Sequence, residues 1–283
     1  MDILDLSKLL TNDKKAKTFL KKFRWTKGVV CPKCTGRKIF ELSDGRYKCG
    51  QCFNRFSDFP GTYLAHNKIP FNKTILLMKL FLMELTALKA AKEIELSYRT
   101  CLNFFDTCRS AIYDHNRSKH VHFKGEIELD EAYFGGKRKG KRGRGAGHKI
   151  PVFGIRERGG KVFVEPVVNV DELTLTKLTR NHVKRGSKAY TDGFRSYNSL
   201  ILHGYEHIRI DHDKKFVNGK AHINSIESFW AYAKERLIKH HGVSAQKFLF
   251  YLKELEWRFN HQKSVDLFEI LAKYLTTLVR LYA

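Results

Sequence analysis

Acidic residues are scarce in this chain of 283 residues. There are 29 Asp and Glu against 53 Lys and Arg, a formal net charge of +24. The shortage is general rather than local. Residues 1–60 carry 14 basic and 6 acidic side chains, residues 61–125 carry 10 and 5, and residues 126–283 carry 29 and 18. A basic excess in every part implies a long polyanionic partner, most simply nucleic acid. Long apolar runs are missing too. None approaches the ~18 residues of a membrane span, so no membrane partner is expected. The first residues, "MDILDLSKLL", lack the basic start and cleavage site of a signal peptide. An intracellular protein follows as the expectation: cytoplasmic and nucleoid-associated in a bacterium, nuclear in a eukaryote. Its six cysteines should then be reduced. Apolar residues are not lacking. At 42% apolar and 13% aromatic, the chain can build a folded core in one large domain or two to three small ones.

Four of the cysteines form two knuckles, "CPKC" (Cys31, Cys34) and "CGQC" (Cys49, Cys52), with 14 residues between them. Two such pairs on a hairpin-length spacer place four thiolates at the corners of a tetrahedron, which suits one structural Zn2+. The spacer has two strand-like runs, "KIFEL" and "RYK", around the turn "SDG". Residues 1–60 are therefore read as an N-terminal segment with a zinc ribbon. Cys101 and Cys108 lie seven apart on one expected helix face and are read as core.

Residues 61–120 read as helical. "FNKTILLMKLFLMEL" suits a buried helix. The next stretch parses as a helix over Ala87–Ile94, a tight turn at Glu95, and a second helix capped by Ser97, with Leu102, Phe105 and Ile112 inward. This is helix-turn-helix grammar. Tyr98 and Arg99, at the start of the second helix, are candidate DNA contacts.

From Gly125 onward the periodicity becomes that of strands. "EIELDEAYF", "KIPVFGIRER" and "GKVFVEPVVNV" are three consecutive strands, the last two joined by "RGG". A helix, a strand ending in Asp192, another strand and two amphipathic helices follow. An antiparallel meander continued by crossover units predicts an α/β, ribonuclease-H-like domain over residues 121–283. "QKFLFYLKELEWRFN" should pack on its sheet.

In such a sheet the first strand is central and the fourth lies beside it. Asp130 and Asp192 then come to one edge, and a later helix can bring Glu227 there. Three converging carboxylates repel unless cations join them. Oxygen-only ligands favour Mg2+ or Mn2+, and a pair of such ions would serve phosphoryl transfer. Lys234, seven residues after Glu227 and on the same helix face, is placed to touch a phosphate. Glu128 and Glu131 are possible auxiliary ligands. After the first strand comes a glycine-rich cationic stretch with Lys137, Arg138, Lys139, Lys141, Arg142, Arg144 and Lys149, read as a loop that follows the DNA backbone.

"LDEAYFGGKRKGKRGRG", "YTDGFRSYN" and "HINSIESFWAYAK" resemble the DDE transposases of bacterial insertion sequences related to Merlin elements. "RYKCGQCFNRFSDFPGT" resembles the zinc ribbon that precedes their catalytic core. The resemblance implies a transposase that binds terminal inverted repeats, cuts the element ends and joins the 3′-hydroxyls to target DNA as a dimer or higher oligomer. It implies Asp130, Asp192 and Glu227 as the metal-binding triad, with Lys234 the basic residue after the Glu. Some relatives use Asn as third member, which keeps Asn224 and the nearby His222 as alternatives. Two other activities stay open: a structure-selective nuclease on the same fold, and a non-enzymatic DNA-binding regulator.

Overall fold

The computed structural model describes residues 3–117, 122–135, 149–210, 223–264 and 266–279. The chain divides into two compact units, Met1–His115 with Ser264–Ala283, and Asn116–Lys263.

The first unit holds α1 (Ile3–Leu10), α2 (Asp13–Arg24), a small antiparallel sheet of β1 (Ile39–Glu41), β2 (Tyr47–Cys49) and β3 (Arg55–Phe56), then α3 (Phe71–Leu82) and α4 (Ala87–Ile94). Most of α5 (Tyr98–Arg117) and all of α9 (Leu267–Thr276) also belong to it. α3 is apolar nearly all round, and it buries Ile75, Leu77, Met78 and Phe81, with α1, α2, α4 and α9 among its neighbours. Asp58 ties α2 to the small sheet. It is 3% exposed, accepts the Tyr47 hydroxyl at 2.9 Å and pairs with Lys17 at 2.9 Å.

α4 and α5 form the expected pair with the expected boundaries. Thr86 caps α4 by accepting the Lys89 amide, and Ser97 caps α5 by accepting the Thr100 amide. Between them Glu95 takes the left-handed conformation at φ +54°, the position where glycine would be free of strain. Phe105, Ile112, Cys101 and Cys108 are buried, and Leu102 is half-buried.

The second unit is a five-stranded mixed sheet in the order β6-β5-β4-β7-β8, with helices on both faces. Its strands are β4 (Glu126–Phe134), β5 (Ile150–Glu157), β6 (Val162–Pro166), β7 (Lys188–Thr191) and β8 (Glu206–Arg209). The first three run antiparallel, and β7 and β8 then add in parallel on the other side of β4. The first strand is therefore central and the fourth is its neighbour. This is the ribonuclease-H-like arrangement predicted from the order of patterns. Along β4 the side chains alternate. Ala132 and Phe134 join the core under α7 (Asn224–Ile238) and α8 (Ala245–Asn260). Ile127 and Leu129 join the core under α6 (Glu172–His182) and the 3-10 segment Arg195–His203.

α8 packs on the sheet as expected and also closes an edge. The outer backbone groups of β6 would otherwise be unpaired. Side chains of α8 satisfy them instead. Asn260 accepts the Val162 amide and donates to the Val162 carbonyl, both at 2.8 Å. Glu256 accepts the Val164 amide at 3.0 Å, and Lys253 donates to the Val164 carbonyl at 2.6 Å. Lys253, Glu256 and Asn260 recur at helical spacing, so one face of α8 substitutes for a sixth strand. Burial pushes the Lys253 ammonium down, but Glu256 and Glu165 hold it above its ordinary value.

Candidate active site and metal centre

The four knuckle cysteines come together in the first unit. Cys31 and Cys52 lie 3.5 Å apart at sulfur, as do Cys34 and Cys49, and all four sulfurs fall within 4.8 Å of one another. With metal–sulfur bonds of about 2.3 Å, this spacing fits a tetrahedral Zn2+. Burial pushes Cys31 up, but the amides of Cys34 and Lys33 and the neighbouring thiols pull it down to about 6. Cys34 is pulled down by the Gly36 amide, yet the Cys52, Cys49 and Cys31 sulfurs, together with burial, drive it up to about 12. Cys101 and Cys108, as expected, stay apart as core residues.

The second unit carries the acids. β4 and β7 pair in parallel with Glu128 opposite Tyr190, the last pair of that ladder. Two residues further on, where the strands part, stand Asp130 and Asp192. Asp130 is half-buried, and its carboxyl is raised to about 7 by desolvation first and then by the charges of Glu131 and Asp192. Asp192 is itself held in a turn, accepting the Phe194 amide at 2.9 Å.

α7 brings the third acid. Asp130, Glu227, Lys149 and Lys234 line one open groove of about 560 Å3, together with Trp230. Glu227 and Lys234 are exposed on α7, and neither forms an ion pair among the described residues. The indole N–H of Trp230 donates to Asp130 at 2.9 Å. Gly154, opposite Asp130 on β5, makes room for that ring, since a β-carbon there would stand 2.5 Å from a Trp230 ring carbon. Sequence reading passed over Trp230 and Gly154. A glycine inside a strand is a signal of close approach that could have pointed to both.

The first turn of α7 is pinned to the sheet on either side of Glu227. Glu128, fully buried, accepts the Ile226 amide at 2.9 Å and the Arg158 guanidinium at 3.1 Å. Arg156, opposite Glu128 on β5, donates to the Ser225 carbonyl and, at 2.9 Å, to the Ser228 hydroxyl. Glu128 thus caps a helix N-terminus, where a carboxylate is stabilised. Glu131 points to the opposite face and accepts the Tyr197 hydroxyl at 2.8 Å. Desolvation, Glu131, Asp130 and Asp192 raise that phenol well above its ordinary value.

The carboxylates are less tightly gathered than the thiols. Among the described residues, only the four cysteines bring three or more potential ligand atoms within 4.8 Å of one another. The donor chemistry still fits a hard cation. Asp130 carries a carboxyl pushed toward neutrality by burial first and then by two neighbouring acids, and a divalent ion would replace the proton. Asn224 opens α7 and is exposed, outside the lining of the groove. Tyr98 and Arg99 are exposed in the first turn of α5. His222, Lys137, Arg138, Lys139, Lys141, Arg142 and Arg144 lie outside the described residues.

Residues 122–260 match the ISXO2-like transposase domain, and residues 11–55 match the transposase zinc-ribbon domain. A protein of Halobacterium salinarum described as an uncharacterized protein in transposable element ISH50 is 28% identical over 282 residues, covering 89% of this chain and 92% of that protein. An uncharacterized transposase-like protein of Haemophilus influenzae is 43% identical over 103 residues, covering 36% of this chain and 84% of its own length. Among solved structures, the Mos1 strand transfer complex overlays with a TM-score of 0.27 at 12% identity, covering 72% of this chain and 78% of that one. A score that low carries no argument about fold or function.

Proposed function

We propose that this chain, which belongs to the DDE transposases of insertion sequences, binds the terminal inverted repeats of its element, cuts the element ends and joins the freed 3′-hydroxyls to target DNA. The observation that carries the reading is the convergence of acids and cations. Asp130 on β4 and Asp192, one residue past the end of β7, stand where these two neighbouring strands part, and Glu227 and two lysines share a groove with Asp130. Asp130, Asp192 and Glu227 would hold Mg2+ or Mn2+, two ions per site. Such ions activate an attacking oxygen and stabilise the leaving one in phosphoryl transfer. The residues of this chain supply the rest. Trp230 orients Asp130 through its indole N–H. Glu128 and Arg156 fix the turn that presents Glu227. Lys149 and Lys234 hold a phosphate beside the acids as point charges.

The zinc ribbon of residues 1–60 and the helices of residues 61–120, with Tyr98 and Arg99, grip the terminal repeat, and the sheet unit within residues 121–283 performs the chemistry. The cationic residues from Lys137 to Lys149 contact the DNA backbone. The protein works in the compartment that holds its DNA, as a dimer or higher oligomer on two element ends. A strand-transfer assay with a pre-cut end tests the reading. Joined product that disappears in Asp130→Asn, Asp192→Asn and Glu227→Gln, with DNA affinity kept, is the expected result. Cleavage without joining selects a nuclease, and binding without either selects a regulator. Normal transfer by Glu227→Gln together with its loss in Asn224→Ala would move the third ligand to Asn224.

A further inference from the structure

The small sheet of the ribbon has two faces. Ile39, Tyr47, Cys49 and Phe56 pack together in one core cluster with the other cysteines of the knuckles. The alternate residues turn outward. Phe40 stands opposite Lys48, and Lys48 opposite Arg55, so one row across the outer face is a ring followed by two cations. Phe53 joins this row from the second knuckle, with the Lys48 ammonium 5.5 Å from the centre of its ring. The Lys38 ammonium lies 6.0 Å from the centre of the Phe40 ring. Gly50 leaves the space for both, since a β-carbon there would stand 3.0 Å from the Phe40 ring and 2.9 Å from the Lys38 chain.

Stability does not account for these two rings. Phe40 is 50% exposed and Phe53 69%, and Tyr98 is the one other exposed aromatic among the described residues. Each ring leaves apolar surface in water. Phe53 also sits at φ +58°, in the left-handed region, where a bulky side chain is strained and glycine is not. The knuckle imposes that backbone. Thr35, which follows the first knuckle, has φ +59°, and both residues donate their amides to the first cysteine of their own pair, Thr35 to the Cys31 carbonyl at 2.9 Å and Phe53 to the Cys49 carbonyl at 3.1 Å. The turn therefore needs a left-handed residue but not a ring. A strained aromatic held out in solvent points to a ligand.

The ligand should offer flat faces and regular negative charge. Bases and phosphates supply both. In double-stranded DNA the base faces are already covered by their neighbours in the stack, whereas an unpaired strand presents them. Lys38, Lys48 and Arg55 form no ion pair among the described residues and complement its phosphates. We propose that the outer face of the zinc ribbon binds single-stranded DNA, with bases stacked on Phe40 and Phe53 and the phosphates between them held by Lys38, Lys48 and Arg55. This goes beyond a grip on a paired repeat. It rests on the transposase reading only for the source of the strand, DNA opened where an element end is cut.

The test uses the full, zinc-loaded chain and a labelled strand of dT, with affinity followed by fluorescence anisotropy across a salt series. Phe40→Leu and Phe53→Leu should each weaken binding about tenfold, within the range of base stacking on an aromatic. The slope of log affinity against log salt should not change, because a neutral ring releases no counterions. Lys48→Ser should instead flatten that slope by about 0.7. Phe40→Trp and Phe53→Trp should keep the affinity, and the added indole should be quenched when the strand binds. None of these variants should melt at a lower temperature, and none of the Leu variants should lose affinity for a paired duplex of the same length. Unchanged affinity in both Leu variants, an equal loss on the duplex, a loss accompanied by a lower melting temperature, or an unquenched indole would each overturn the proposal. Tighter ring-dependent binding to a strand of uridines would overturn the assignment to DNA. All of these readouts are of binding. A chain that binds the strand in this way yet never cuts or joins DNA would refute the transposase reading and leave this site standing.

Discussion

Removing Asp130 should make the metal-free protein more stable, and only above a defined pH. The Asp130 carboxyl sits at about 7 in the folded chain against an ordinary 3.8, because burial and the charges of Glu131 and Asp192 oppose ionisation. Between about pH 4 and pH 7 the folded state therefore keeps a proton that the unfolded state has released. Stability must fall as pH rises through that window and level off above it. A shift of about three units corresponds to roughly 4 kcal/mol, and solvent reaching the half-buried carboxyl reduces this to about 2. Asp130→Asn carries no titrating group there. Its melting curve should track wild type at pH 4 and lie about 2 kcal/mol above it at pH 8, in chelator. Other carboxylates titrate at lower pH, among them Asp44, Glu126 and Asp171, which hydrogen bonds hold below their ordinary values. They are common to both proteins and cancel in the difference. Mg2+ should then stabilise wild type at pH 8 and leave the variant unmoved. A wild-type advantage that grows with pH in chelator would refute the reasoning.

Gly154→Ala should push Trp230 off Asp130. Overpacking of this kind costs about 1–3 kcal/mol, and the loss should appear both in the melting temperature and as slower DNA cleavage, with Trp230→Phe reproducing only the second. Cys31→Ser should lose about one zinc per chain by elemental analysis and unfold the ribbon; a ribbon that stays ordered without metal by NMR would refute this. Lys253→Met leaves Glu256 buried without its cation and the Val164 carbonyl without its donor, a loss of about 3–5 kcal/mol by chemical denaturation. Glu95→Gly should relieve the left-handed turn between α4 and α5 and raise stability by about 1 kcal/mol.

The sheet unit was legible because its signals are periodic or chemically unusual. Alternating strands, a turn at "RGG" and acids ending two of the strands are visible without coordinates. The cysteine knuckles are equally plain. The terminal helices were not read, although Asn12 caps α2 and Asp266 caps α9. In α2 only Ala16 and Leu20 are buried amid lysines, so the apolar stripe is thin. α9 belongs to the first unit, far from it in sequence, and no local pattern announces such a partner. Trp230 hid for a different reason. In "ESFWAYAK" an aromatic beside an aromatic reads as core, and Trp230 is indeed 5% exposed. Only coordinates reveal that its N–H ends on a carboxylate.

Why the acids sit where they do follows from the backbone before any side chain is considered. β4 keeps pairing with β5 as far as Phe134, but its ladder with β7 stops at Glu128. Beyond that point one edge of β4 has no strand beside it. Open α/β sheets bind ligands where neighbouring strands diverge at their carboxyl ends, because only there does a crevice reach the sheet. Asp130 is the first position of β4 past the divergence that points the same way as Glu128, and Asp192 follows the last residue of β7. Glu128 itself, still inside the ladder and fully buried, cannot be reached from the crevice and serves instead as a helix cap. One strand face thus carries two carboxylates with opposite fates, two residues apart. The accessible one is the candidate ligand, and the enclosed one holds the helix that brings Glu227.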